Sequence, residues 1–193
     1  MRHHIWLLAA AILAASPLAA ATTWKLDRAH SSVNFSVAHL VISQVSGTFK
    51  DFDVRFTNTK EDFSDATLSA EIRAGSIFTD NDRRDAHLKS ADFLDAERYP
   101  AITFRSRSFT KTGDNTFRIE GDLTIRDVTK PVVLDGVYKG QVSAWGKTVI
   151  AFSATTEINR FDFGVKWDAK MDAGGLIAGD KVKIDISFEG QKE

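Results

Sequence analysis

The chain has 193 residues, 25 Lys and Arg against 26 Asp and Glu, and no cysteine. Charges of both signs are interleaved, with no basic run longer than Arg83-Arg84, which excludes the positive field that binding to nucleic-acid phosphates requires. The lack of cysteine excludes a disulfide scaffold, so the fold must rest on an apolar core, and the length suits one domain.

The first segment has the pattern of an export signal. Met1-Arg2-His3-His4 is a basic start, Ile5 to Ala15 an apolar run, Ser16-Pro17-Leu18 a break, and Ala19-Ala20-Ala21 supplies small residues for a peptidase. This predicts a signal over 1–21 cut after Ala21, leaving a domain over 22–193. The run is shorter than the roughly 20 residues that span a bilayer, and no later stretch approaches that length, so the mature chain is expected to be soluble, with no integral membrane segment. Losing Arg2 leaves 24 Lys and Arg against 26 Asp and Glu, a net charge of −2. Export without cysteine points to the periplasm.

From Val33 onward the chain alternates with period two, the pattern of strands with one buried face. In chain order the apolar sides are Val33-Phe35-Val37, Phe52-Val54-Phe56, Leu68-Ala70-Ile72-Ala74, Ile102-Phe104, Phe117-Ile119-Gly121-Leu123-Ile125, Val132-Leu134-Gly136-Tyr138, Ile150-Phe152-Ala154-Thr156-Ile158 and Val182-Ile184-Ile186-Phe188. A parity flip between Phe49 and Phe52 predicts a bulge. Gly113-Asp114-Asn115, Lys139-Gly140 and Trp145-Gly146-Lys147 read as hairpin turns. Thr79-Asp80-Asn81-Asp82 is rich in helix-capping residues and predicts one or two short helices within 81–98, ended before Tyr99-Pro100. Trp167 to Gly179 reads as a long loop. The class is therefore all-β, with eight antiparallel strands as a sandwich or a closed barrel.

The inward positions Gly121, Gly136, Ala70, Ala74 and Ala154 are small where a packed core would carry Leu or Ile, which favours a barrel with room inside. The opposing reading is that the 14 phenylalanines reach across and fill it, the glycines marking bends of a curved sheet.

Three stretches resemble a known family. Thr23-Trp24-Lys25-Leu26-Asp27, Ala29 to Phe35, His39-Leu40 and Gly47-Thr48-Phe49 look like the opening of the YceI-like periplasmic lipid-binding proteins. Ser76 to Thr79, Arg84 to Leu88, Ser90 to Phe93 and Tyr99-Pro100 resemble the family's central signature. Gly121 to Ile125, Val128 to Val132 and Asn159 to Gly164 resemble its later motifs, with Asp127 standing where the family usually has Gly. The resemblance implies an eight-stranded lipocalin-like barrel around an elongated apolar channel. It implies ligands such as polyisoprenoids, isoprenoid quinones or fatty-acid derivatives, and brings no agreed catalytic residues.

On that basis the expected channel wall is Phe35, Val37, Ala70, Ile72, Phe104, Ile119, Gly121, Leu123, Leu134, Phe152, Ala154, Ile184 and Ile186, with Arg84, His87 and Trp167 as mouth or headgroup residues. In Arg84-Asp85-Ala86-His87-Leu88, Arg84 and His87 lie three apart on a helical turn. The structural reading has Arg84 and Asp85 bonded to nearby groups while Leu88 and Phe93 pin the helix; the functional reading turns Arg84 and His87 toward a headgroup. Trp24, Trp145 and Trp167 are expected to plug barrel ends, and Trp167 could instead gate a mouth. His30, His39 and His87 lack metal-ligand spacing, and Ser31, Ser76 and Ser90 lack a nucleophile elbow, so neither a metal, a cofactor nor an enzyme is expected. The expected partner is a long-chain isoprenoid or acyl lipid, with self-association left open. A solid-cored barrel serving as a protein-interaction or stress-related envelope factor is the alternative.

Overall fold

The computed structural model describes residues 20–172 and 174–193, so the export signal falls, except for Ala20 and Ala21, outside the described residues. The alternating segments form eleven strands, all paired antiparallel: β1 (Thr22–Leu26), β2 (Ser32–His39), β3 (Ser43–Phe49), β4 (Phe52–Asn58), β5 (Thr67–Arg73), β6 (Ile77–Phe78), β7 (Ala101–Lys111), β8 (Thr116–Ile125), β9 (Val128–Ala144), β10 (Lys147–Asn159) and β11 (Ala178–Lys192). Eight of them close a ring in the order β1-β4-β5-β7-β8-β9-β10-β11, with β11 returning to β1.

The remaining three strands prolong the ring. β11 pairs with β1 through Gly190–Lys192 and with β2 through Ala178–Ser187, so β1 and β2 are two lengths of one bent strand. The expected bulge between Phe49 and Phe52 is a full break at Lys50-Asp51, where the partner chain bends in step: β3 pairs with β2 and β4 with β1. β6 continues β5 past a turn at Ala74–Ser76 and pairs with β3 through Thr48 and Phe49. Its other edge has no strand partner among the described residues, and the connection from β6 to β7 packs Leu88, Phe93, Leu94 and Ala96 against the core.

That connection holds one helix, α1 (Asp82–Lys89), shorter than the predicted 81–98; turns fill the rest. Asn81 caps it, its side chain accepting the Arg84 N–H at 3.0 Å, and acids in the first turn with His87 and Lys89 in the last complement the helix dipole. Eight residues are too few to be stable as an isolated helix, so tertiary contacts must hold it. Asp85, buried, accepts from the Thr79 N–H at 2.9 Å and the Thr79 hydroxyl at 2.5 Å.

Two turn expectations resolve differently. Trp145-Gly146 is the two-residue tip of the β9–β10 hairpin, with φ of 50° and 76°, but Trp145 is 96% exposed and plugs nothing. Lys139-Gly140 is not a turn. It lies within β9 at a register shift, where Gly140 has φ 127°, a bulge that bends the strand. Arg126 and Asp127 form the β8–β9 tip with φ of 52° and 58°, so Asp127 occupies the left-handed backbone that glycine adopts most readily.

At the bend between β1 and β2, Asp27 N–H donates to Glu189 O at 2.9 Å and Glu189 N–H to Ser31 Oγ at 2.9 Å. His30 Nδ1 lies 3.2 Å from Asp27 Oδ2 and 3.7 Å from Glu189 Oε1. The hydrogen bond to Asp27 holds the imidazole above its ordinary value of 6.5, and the same bond lowers the Asp27 carboxyl from 3.8. The imidazolium's contribution is complete below 6.5 and is lost as pH rises through the raised value. The carboxylate's is complete above 3.8 and is lost as pH falls through the lowered one. Thermal melts of the protein and its His30→Ala variant should therefore differ more at about pH 5 than at about pH 8.5. An equal gap at both would remove the ion pair from the bend.

Candidate functional site

One end of the barrel is packed with aromatic rings. Phe56 meets Phe109, Phe152 and Phe188 at centroid distances of 5.8, 5.4 and 5.6 Å. Phe63, from the β4–β5 loop, turns inward against Tyr138 and Phe152 at 5.0 and 5.2 Å and is 4% exposed. The loop holds this stopper through Asp65, whose carboxylate accepts the Thr59 and Lys60 N–H groups and the Thr59 hydroxyl. Trp24 closes the same end, its indole N–H donating to Asn58 Oδ1 at 2.6 Å. Here the phenylalanines do fill the interior.

Beyond the plug they do not. A cavity of ≈ 400 Å³ continues along the barrel, within the range of about 300–1,000 Å³ typical of ligand pockets. Along β10 the wall runs from Phe152 to Ile158, six steps of the strand, or about 20 Å at about 3.3 Å per residue.

Phe35 and Val37 of β2, Ala70 and Ile72 of β5, and Phe104 of β7 stand on the cavity wall. So do Ile119 and Leu123 of β8, Leu134 of β9, Phe152 and Ala154 of β10, and Ile184 and Ile186 of β11. Gly121 does not. It is buried, but a Cβ there would lie 2.5 Å from the Arg105 carbonyl oxygen and 2.6 Å from Phe104 Cε2, so the Phe104 ring already occupies the space. Gly136 is likewise covered by Ile119 Cδ1, 2.9 Å from its would-be Cβ, and Ala74 is 1% exposed and off the wall.

Arg84, His87 and Trp167 all reach the cavity at the end away from the plug. His87 sits edge-on to Phe93 and Trp167 at 5.0 and 5.7 Å, and Phe93 meets Trp167 at 5.3 Å. The His87 Nε2 is 2.8 Å from Asp92 Oδ2, which engages its polar edge. Arg84 donates from Nε to Thr79 Oγ1 and from Nη2 to Thr79 O, both at 2.7 Å, leaving Nη1 without a protein partner among the described residues.

His30, Asp27 and Glu189 are the one grouping of potential metal-ligand atoms among the described residues, all within 4.8 Å of one another. They lie on the outside of the barrel, and Asp27 already accepts from Gln191 Nε2 and the Ala29 N–H. His39 stands on the cavity wall, apart from them.

Residues 24–190, nearly all of the barrel, match the YceI-like domain. The chain belongs to the YceI-like family. It is similar to a UPF0312 protein of Pseudomonas fluorescens strain Pf-5, 39% identical over 193 residues covering 96% of this chain and 94% of that one. A UPF0312 protein of Pseudomonas putida strain F1 is 36% identical over 189 residues with the same coverage. Among solved structures, the Campylobacter jejuni YCEI protein is 31% identical with a TM-score of 0.68, over 87% of this chain and 96% of that one. A polyisoprenoid binding domain from Saccharophagus degradans shares the fold at a TM-score of 0.63 and 12% identity, over 88% of this chain and 98% of that one.

Several wall residues lie outside the expected set, among them Val45, Phe163, Val165 and Ile177, and one of them is charged. Arg160 follows β10 in the family-like stretch Asn159 to Gly164, and nothing in the alternation marks it as inward. It is 5% exposed and lines the cavity of this YceI-like barrel. An arginine standing directly after a long alternating strand was the available signal.

The Gly121 geometry gives a test. Gly121→Ala should lower the urea midpoint by an amount worth roughly 1–3 kcal/mol, as overpacking does, because the Arg105 carbonyl is backbone and cannot turn aside. A variant as stable as the parent would mean that the Phe104 ring does not seal this position.

Proposed function

We propose that this YceI-like protein is a non-enzymatic carrier or sequestering protein of the periplasm. It takes one long apolar chain, a polyisoprenoid, isoprenoid quinone or fatty-acid derivative, into the barrel. The observation that carries the reading is the apolar cavity beyond the aromatic plug, whose wall combines Val, Leu, Ile and Phe side chains from β2, β5, β7, β8, β9, β10 and β11. Such a wall offers burial and little else. Each methylene moved from water into it contributes about 0.8 kcal/mol, against the cost of association and of straightening the chain.

Binding rather than turnover fits the polar groups present. The wall holds no carboxylate among the described residues, and His87 pairs with Asp92, not with a hydroxyl that it could activate. Trp167, Phe93 and His87 form an aromatic end suited to the boundary between chain and headgroup. The cavity also weighs against a solid-cored interaction barrel, since the aromatic plug fills one end of the interior and leaves space beyond it.

Organic extraction of gently purified protein followed by mass spectrometry should recover a long-chain lipid. Ala154→Trp, which places an indole in the middle of the channel, should abolish its recovery while the barrel still folds. Absence of lipid from the native extract, together with no uptake of added lipid by the delipidated protein, would overturn the carrier reading.

A further inference from the structure

From Ala29 to Phe49 the chain carries no Asp, Glu, Lys or Arg, in a sequence of which 26% is charged. That stretch contains β2, β3 and the turn between them. The turn is Leu40-Val41-Ile42, which joins the paired residues His39 and Ser43. Val41 and Ile42 are 76% and 88% exposed.

The backbone opposes this choice of residues. Leu40 and Val41 have φ of 52° and 67°, the left-handed region that Gly and Asn enter readily and a β-branched side chain rarely does. The β8–β9 tip, also at positive φ, carries the polar pair Arg126-Asp127. Turn propensity and exposure to water both disfavour Leu-Val-Ile here, and strain of this kind persists where function requires it.

Position supplies the reason. β2 runs along β11 from Ser187 to Ala178, the direction in which β10 runs away from the plug, so the turn stands at the far end of the cavity. The cavity wall includes His39 and Val45 at the base of the hairpin, and Ile177, whose carbonyl accepts the Leu40 N–H at 2.9 Å. The His39 carbonyl accepts the Ser43 hydroxyl at 3.1 Å, so backbone groups at the turn have partners that do not depend on water. Val142 and Trp145, the other large exposed apolar side chains among the described residues, lie on the β9–β10 hairpin at the plug end.

We propose that Leu40, Val41 and Ile42 form a membrane-docking tip, which enters the interfacial layer of a lipid bilayer and holds the open end of the cavity against it. Its purpose rests on the carrier reading: a long apolar chain passes poorly through water, and an opening held at the bilayer shortens that passage. Three side chains on a narrow turn offer far less than the roughly 800 Å² per partner of a stable protein interface, whereas a bilayer demands no complementary shape. A hairpin without charged residues enters apolar surroundings without the penalty of burying an ion. Lys166, Asp168, Lys170 and Asp172 are exposed on the adjoining loop with signs in balance, so attachment draws on apolar burial and not on a basic field.

Because the chain has no cysteine, Ile42→Cys and Trp145→Cys each offer a single thiol for an environment-sensitive fluorophore. With vesicles of phosphatidylethanolamine and phosphatidylglycerol, the label at position 42 should shift to the blue and be quenched by brominated acyl chains, and the label at 145 should do neither. In flotation with the same vesicles, the parent's partition should change less than about twofold between low and high salt. Val41→Asp combined with Ile42→Asp should weaken it about tenfold or more. Val41→Gly relieves the positive φ and removes apolar surface, so it should melt at or above the parent temperature and still partition more weakly, which a purely structural turn would not do. A parent that does not float, a label at 42 that does not shift, or an aspartate variant that floats like the parent would overturn the docking tip; lipid recovered from the native extract would leave the carrier reading standing. A parent dimer in sedimentation equilibrium that the aspartate variant dissociates would overturn it in favour of a second copy of the chain.

Discussion

The barrel depends on β11 being paired along both edges over nearly its whole length. One edge matches β10 from Lys181 to Gln191; the other is shared in sequence by β2 and β1. A strand of fifteen residues is longer than either partner, and the handover requires the chain to bend between Leu26 and Ser32. The bend is fixed by reciprocal backbone and hydroxyl bonds between Asp27, Ser31 and Glu189, and Arg28 reaches across to Asp51 on the neighbouring break. Because closure removes the exposed edges of the ring, no long unpaired strand is offered to another chain there.

Closure also fixes how wide the interior is, and width decides what side chains can do inside it. A ring of eight strands is just wide enough to be filled by large side chains or to hold one small ligand. This barrel does both along one axis. Where Phe56, Phe109, Phe152 and Phe188 project inward and Phe63 enters from the loop, the rings meet at 5–6 Å and the space is closed. Each such pair adds about 0.5–1.5 kcal/mol beyond burial, so this end carries much of the core's stability. Farther along, Ala70, Ala154, Val182 and Ile184 are too short to meet across the same width, and the wall is left without a filling. The division lets the interior of the pocket differ from that of the plug without loss of the ring.

Much of this was legible in the alternation. Phe117, Ile119, Leu123 and Ile125 are buried while Arg118 and Glu120 between them are exposed, and the same holds in kind for the other strands. Period two gives the side of the sheet on which a residue stands; it does not give the direction in which a neighbour's ring leans. Gly121 is the instructive case: Phe104 pairs with Leu123, two positions along, and its ring leans over the glycine, so a small residue marks an aromatic seat and not an opening. Gly140 misled for a related reason, since a positive φ serves a bulge as well as a turn. Phe63 and Arg160 lie outside the alternating segments, where only tertiary contacts determine which way a side chain points.

Arg160 connects the fold to the cavity more closely than any other wall residue. Its three carbonyl partners belong to the start of β11 and to the segment after Phe163, so the guanidinium ties the beginning of the connecting loop to the strand on which closure depends. A neutral side chain could not satisfy those three acceptors at once, and a lysine, with its single nitrogen, could not reach them in one plane. The fold therefore keeps a cation at the boundary of an apolar space for structural reasons, with the Phe161 ring against it. Whatever enters the cavity meets that charge as a fixed part of the wall. The same residue that steadies the loop thus makes the two ends of the barrel chemically different, one closed by aromatic rings and the other bordered by a guanidinium.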